Sequence, residues 1–189
     1  MILSLNCARG ESSTYAVLSF VSSNPKYQIL LLQEPWLNSN KEPPILNGFE
    51  IFTPVPTNLK CATYIRKDAQ LQPSVALSES DSFLGIRLRL QSNSTIPSNR
   101  QPTRTTIFNF YSSGRQCAIC HFFQGFRPDT NAIICGDFNS HHRMWYGHRS
   151  AQHDRQLSND ATLANQLVDK LVDLAFDLQN IPGLYTHFP

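Results

Sequence analysis

The chain has no apolar run approaching the length of a membrane-spanning helix, and Met1 to Asn6 is too short and polar to read as a secretory signal. The expectation is therefore an intracellular protein without a transmembrane segment. Net charge is scarce as well. Sixteen Lys and Arg against 14 Asp and Glu leave only +2, so the whole molecule does not attract nucleic acid by bulk charge, and a local basic patch would have to do so. Paired metal-ligand spacings are missing too. Cys117-Ala-Ile-Cys120-His121 matches a c-type haem attachment pattern, but that chemistry belongs to exported proteins. A zinc site from Cys117, Cys120, His121 and Cys135 would lack a second close pair, so neither haem nor zinc is expected. Five cysteines is an odd number, read here as reduced thiols. No internal repeat is visible. What remains is 189 residues with 41% hydrophobic content, enough for one domain with a real core.

The most informative stretch is Ile133–Asn139, Ile-Ile-Cys-Gly-Asp-Phe-Asn. Ala132 to Cys135 reads as a strand buried on both faces, and Gly136 as the residue permitting a tight turn. Asp137 and Asn139 stand two apart, so in an extended segment they point to one side. The alternative is an Asp/Asn turn that caps the next element. Earlier in the chain, Ile2–Leu5 predicts a short strand ending at Asn6. Residues 11–23 predict a helix with Tyr15, Leu18 and Val21 near one face and Pro25 beyond its end. Gln28–Gln33 predicts a strand buried on both faces, with Glu34 at its carboxyl end, where ligand-binding groups collect in layered α/β proteins.

Residues 37–48 are a Pro-rich loop. Strands are predicted at 49–53 and 61–66, joined by a turn at Pro54, Pro56 and Asn58, and at 83–90, where Leu84, Ile86, Leu88 and Leu90 alternate with Gly85, Arg87 and Arg89. Residues 91–103 form a Ser/Asn/Pro-rich loop, Arg104–Tyr111 a strand, and 112–129 a connection holding a helix. After Asn139 the loop carries His141, His142, Arg143, His148, Arg149, His153 and Arg155, with Trp145 and Tyr146 between them. Basic groups interleaved with aromatics suit a polyanion; the alternative is a solvated loop. Leu163, Leu167, Leu171, Leu174 and Leu178 place an amphipathic helix over 160–178, a packing stripe. A last strand is predicted over 184–188.

Five boxes, in this order, resemble the endonuclease/exonuclease/phosphatase superfamily, and within it the endonuclease domain of non-LTR (LINE-type) retrotransposons. They are Asn6 after the first strand, Gln33-Glu34-Pro35-Trp36, Asn109-Phe110-Tyr111, Asp137-Phe138-Asn139 followed by Ser140-His141-His142 and Trp145-Tyr146-Gly147, and Tyr185-Thr186. The resemblance implies a four-layered α/β sandwich, two packed mixed β-sheets flanked by helices, filling 1–189 as one domain. It implies a phosphodiesterase that nicks target DNA, using Mg²⁺ or Mn²⁺ held by Glu34. Asn6 would orient Glu34 or a metal-bound water, Tyr111 would donate to the scissile phosphate, Asp137 would orient or deprotonate the attacking water, and Asn139 would help hold the phosphate. Thr186, His142, Arg143, Arg149 and Arg155 would contact DNA. The expected partners are DNA and a downstream reverse transcriptase in a longer polyprotein, with the protein a monomer acting in the nucleus.

The family pattern also continues with a further Asp and a terminal Ser-Asp-His box. Neither appears, and no Asp follows Asp177. The resemblance thus implies a C-terminally truncated domain with impaired cutting. Two alternatives stay open: a phosphatase or exonuclease of the same superfamily, or a catalytically impaired remnant that binds nucleic acid.

Overall fold

The computed structural model describes residues 1–54, 59–80, 83–90, 104–112, 131–139, 142 and 157–179. The expected turn around Pro56, the loop at 91–103, the helix within 112–129 and the strand at 184–188 lie outside the described residues, in whole or in their central part. The chain forms two compact units: Met1–Tyr111 with Pro128–Asp137, and Ser112–Arg127 with Phe138–Pro189.

Among its described residues the first unit holds eight strands and one helix. These are β1 (Ile2–Asn6), α1 (Glu11–Ser23), β2 (Ile29–Gln33), β3 (Phe49–Phe52), β4 (Cys61–Arg66), β5 (Leu71–Ser80), β6 (Phe83–Leu90), β7 (Arg104–Tyr111) and β8 (Ala132–Asp137). They make two four-stranded sheets, ordered β1-β2-β4-β3 and β5-β6-β7-β8. Each sheet is mixed, with one parallel pair, β1 with β2 and β7 with β8, and antiparallel pairs elsewhere. The expected α/β sandwich of two mixed sheets is borne out.

The strand β2 shows why the sequence produces this packing. All five of its residues are buried. Ile29 and Leu31 point into a core shared with Ile65 of β4, Leu84, Ile86 and Leu88 of β6, and Ile107 of β7. Leu30 and Leu32 point the other way, into a core with Val17, Leu18 and Val21 of α1 and with Ala62 and Tyr64. One strand thus joins sheet to sheet on one face and sheet to helix on the other, each buried Leu or Ile contributing about 1.5–3 kcal/mol. The helix buries Thr14, Val17, Leu18 and Val21, a stripe at helical spacing. Tyr15 is not part of it: the stripe runs one position away, and Tyr15 stays 47% exposed with its ring 5.8 Å from that of Trp36.

Three further expectations are corrected. The strand β8 is not buried on both faces. Among the described residues it is the last strand of its sheet, pairing with β7 alone, and Ile133 is 40% exposed. Gly136 does not make a turn; it sits within β8 opposite Phe110, where any Cβ would overlap the Phe110 carbonyl oxygen. Close backbone approach, not a reversal, is its reason for lacking a side chain. The strand β5 was not read from the sequence because Pro73 interrupts it; as an edge strand it tolerates the missing N–H.

In the second unit, α2 spans Leu157–Asp173, so the leucine helix starts earlier and ends five residues sooner than its stripe. Ala175 takes a left-handed conformation (φ 57°). Phe176 N–H then bonds Leu171 C=O, and Ala175 N–H bonds Val172 C=O, a Schellman termination that leaves Leu174 and Leu178 past the helix. Among its described side chains Ala164 and Leu167 are buried.

Candidate active site

The two parallel pairs end at the same place. Asn6 pairs with Gln33 at the carboxyl ends of β1 and β2, and Tyr111 pairs with Asp137 at the carboxyl ends of β7 and β8. Parallel neighbours must end together, so each sheet brings two chemical groups to one edge. Asn6 Nδ2 donates to Asp137 Oδ2 across the sandwich at 2.6 Å. The other end of the same amide accepts from Ala8 N–H at 2.8 Å, which fixes which end faces the carboxylate. Tyr111 donates its hydroxyl to Glu34. The structure therefore brings Asn6, Glu34, Tyr111 and Asp137 together. Asn6 holds Asp137, not Glu34.

Two cations complete this group, and sequence reasoning missed both. Arg9 Nε lies 3.3 Å from Glu34 Oε1, and Lys60 Nζ lies 3.9 Å from the same oxygen. The Lys60 ammonium also stands 5.7 Å from the centre of the Tyr111 ring. Their side chains differ in exposure, 60% for Arg9 and 14% for Lys60. Lys60 reaches the site because β4 runs antiparallel to β2: the start of one strand lies beside the end of the other, and Glu34 N–H bonds Lys60 C=O at 2.7 Å. Only the pairing register reveals that neighbour.

Backbone strain is concentrated here. Ala8, Arg9 and Glu34 all have positive φ (48°, 58° and 43°), costly for residues with a Cβ. The hydrogen bonds Cys7 N–H to Gln33 C=O and Arg9 N–H to Glu34 C=O hold the two strained loops together. Asn139 is also left-handed (φ 43°) and donates to Ser112 C=O at 2.6 Å, so the chain is not extended through Asp137 to Asn139 as expected.

Beneath the site lies a buried polar network whose function the sequence did not disclose. Asn109, fully buried, accepts from Gln33 Nε2 at 2.6 Å. Its own amide donates to Leu32 C=O, Ala62 C=O and Thr63 Oγ1. Asn109 thus ties β7 to β2 and β4, two residues before Tyr111.

Burial raises the Tyr111 hydroxyl above the ordinary phenol range, the Glu34 charge and hydrogen bond and the Asp137 charge add to this, and Arg9 opposes it. Tyr111 is therefore a proton-bearing donor at neutral pH. The donor set fits a hard divalent cation: Glu34 offers a carboxylate that is 17% exposed, with Asp137 and the Asn6 amide near. No cluster of three or more His, Cys, Asp or Glu that could hold a metal ion occurs among the described residues.

His142 is half-buried, in the second unit. Arg143, Arg149, Arg155, Thr186 and the Cys117–His121 motif lie outside the described residues. Among the described residues no helix is long and apolar enough to cross a membrane.

Comparisons with known proteins show what this fold is similar to. An AP endonuclease from Archaeoglobus fulgidus shares the fold, with a TM-score of 0.56 and 13% identity over 89% of this chain and 69% of its own. D. rerio TDP2, humanized by 14 mutations, aligns at a TM-score of 0.44 and 10% identity over 75% of this chain and 63% of its own length. Residues 105–176 match the model of a family described as endonuclease-reverse transcriptase. No curated protein sequence matches the chain. The family match and the AP endonuclease fold bear out the resemblance to the superfamily carried by the five boxes.

Proposed function

We propose that this chain is a metal-dependent phosphodiesterase, a retrotransposon-type DNA endonuclease that nicks its target. The observation that carries this is the convergence of Glu34, Tyr111, Asp137 and Asn6 at one edge of the sandwich. Phosphodiester hydrolysis needs a positioned water and donors that follow negative charge onto the phosphoryl oxygens. Asp137, held in place by Asn6, orients the attacking water and accepts its proton. Tyr111 donates its hydroxyl to a phosphoryl oxygen, turning from Glu34 as the substrate arrives. Asn139 would help hold the phosphate. Glu34 would hold Mg²⁺ or Mn²⁺, which when bound supplies charge neutralisation at the phosphate.

DNA is the substrate this reading favours, because the matching family is described as endonuclease-reverse transcriptase. The same description supports a reverse transcriptase as partner, and action on chromosomal DNA would place the protein in the nucleus. Arg143, Arg149, Arg155, His142 and Thr186 would meet the DNA backbone.

The test is a plasmid relaxation time course with Mg²⁺, comparing wild type with Asp137→Ala and Glu34→Gln. Nicking is expected in the wild type and a loss of roughly a hundred- to a thousandfold in each variant. Equal rates in all three proteins would remove these residues from the chemistry.

A further inference from the structure

Lys60 is the least expected group at this edge. Its side chain is mostly buried, yet Glu34 is its one ion-pair partner among the described residues, at 3.9 Å, beyond hydrogen-bonding reach. That partner is shared: Glu34 also takes Arg9 and the Tyr111 hydroxyl. The Lys60 side chain is 14% exposed, and among the described residues its ammonium has three donors and no hydrogen-bonded acceptor, which leaves room for another anion. Its position selects which one. It stands over the Tyr111 ring, beside the hydroxyl that the proposed reaction directs at a phosphoryl oxygen.

We propose that Lys60 is a phosphate-binding residue of the site, taking a non-bridging oxygen of a DNA phosphodiester beside the Tyr111 hydroxyl. This rests on the phosphodiesterase reading above. The charges are consistent. Arg9 and Lys60 balance Glu34 and Asp137, so the resting group is neutral. A phosphodiester reaching this edge supplies a negative charge that the Lys60 ammonium, 3.9 Å from a partner it shares with Arg9, has donors left to meet. Arg9 is exposed and free to swing away, whereas Lys60 is held by its backbone bond to Glu34 and by its burial. Lys60 is therefore the fixed contact and Arg9 the adaptable one.

The experiment measures binding, without turnover. A fluorescent duplex oligonucleotide is titrated in EDTA at several salt concentrations with wild type, Lys60→Met and Lys60→Arg. Losing one phosphate contact flattens the slope of log K against log salt by about one unit, so Lys60→Met should show that loss and Lys60→Arg the wild-type slope. Thermal melts check that the variants fold, and Lys60→Gln replaces Lys60→Met if the latter does not. Calorimetry with Mg²⁺ alone reads the ion pair: without the Lys60 charge, Glu34 should bind Mg²⁺ about fivefold more tightly. A wild-type salt slope in Lys60→Met, with Mg²⁺ binding equal or weaker, would make Lys60 a mere prop for Glu34 and overturn the assignment. Failure of the wild type itself to bind the duplex would overturn the DNA reading, and Lys60 with it.

Discussion

At the scale of single residues, the site depends on amides as much as on charges. Asn6 serves both a backbone donor and Asp137, and Asn109 uses its whole side chain to tie two sheets together. Burial makes such groups costly to disturb, because every partner left behind loses its bond without gaining water. Replacing Asn109 with Ala should destabilise the protein by about 2–3 kcal/mol in urea unfolding. Asn109→Asp should cost more, since it sets a buried carboxylate against the carbonyls of Leu32 and Ala62. An Asp variant as stable as the wild type would contradict the hydrogen-bond directions given above.

At the scale of elements, the end of α2 offers a cleaner test than its stripe. Ala175 occupies the left-handed position of a Schellman motif that glycine usually fills. The Cβ pays a steric penalty there, and the helix interior is untouched. Ala175→Gly is therefore expected to stabilise the protein by about 0.5–1 kcal/mol, raising Tm by roughly 1–4 °C. A lowered Tm in calorimetry would mean that the helix does not terminate at this residue in solution. The same steric rule explains why the strained loops at Ala8, Arg9 and Glu34 are pinned by backbone hydrogen bonds: without those bonds the chain would relax away from the site.

At the scale of the molecule, a cation bound to the folded state but not the unfolded one must stabilise it by mass action. At a Mg²⁺ concentration about a hundred times its Kd, the gain is about 2.7 kcal/mol. Wild-type protein should therefore melt higher as Mg²⁺ is raised, and Glu34→Gln should respond far less. Identical Mg²⁺ responses in the two proteins would place the cation elsewhere. Because the two parallel strand pairs that carry the site belong to different sheets, the same titration also reports on the packing between them.

Much of this was written locally in the chain. The alternation in β6, the continuous apolar run of β2 and the helix at 11–23 follow from side-chain period and residue type, which neighbouring residues suffice to define, and the boxes around Glu34, Tyr111 and Asp137 were legible as a family resemblance. What only the folded chain decided was everything that depends on register and on which strands lie side by side. Lys60 enters the site because β4 begins where β2 ends, and Asn109 becomes a hub because β7 faces β2 and β4. Gly136 is needed because Phe110 pairs with it, and β8 is the last strand of its sheet among the described residues, a place that its apolar sequence did not announce. Pairing between residues tens of positions apart leaves no periodic trace in either segment, so it is set by packing between the sheets and not by the local sequence.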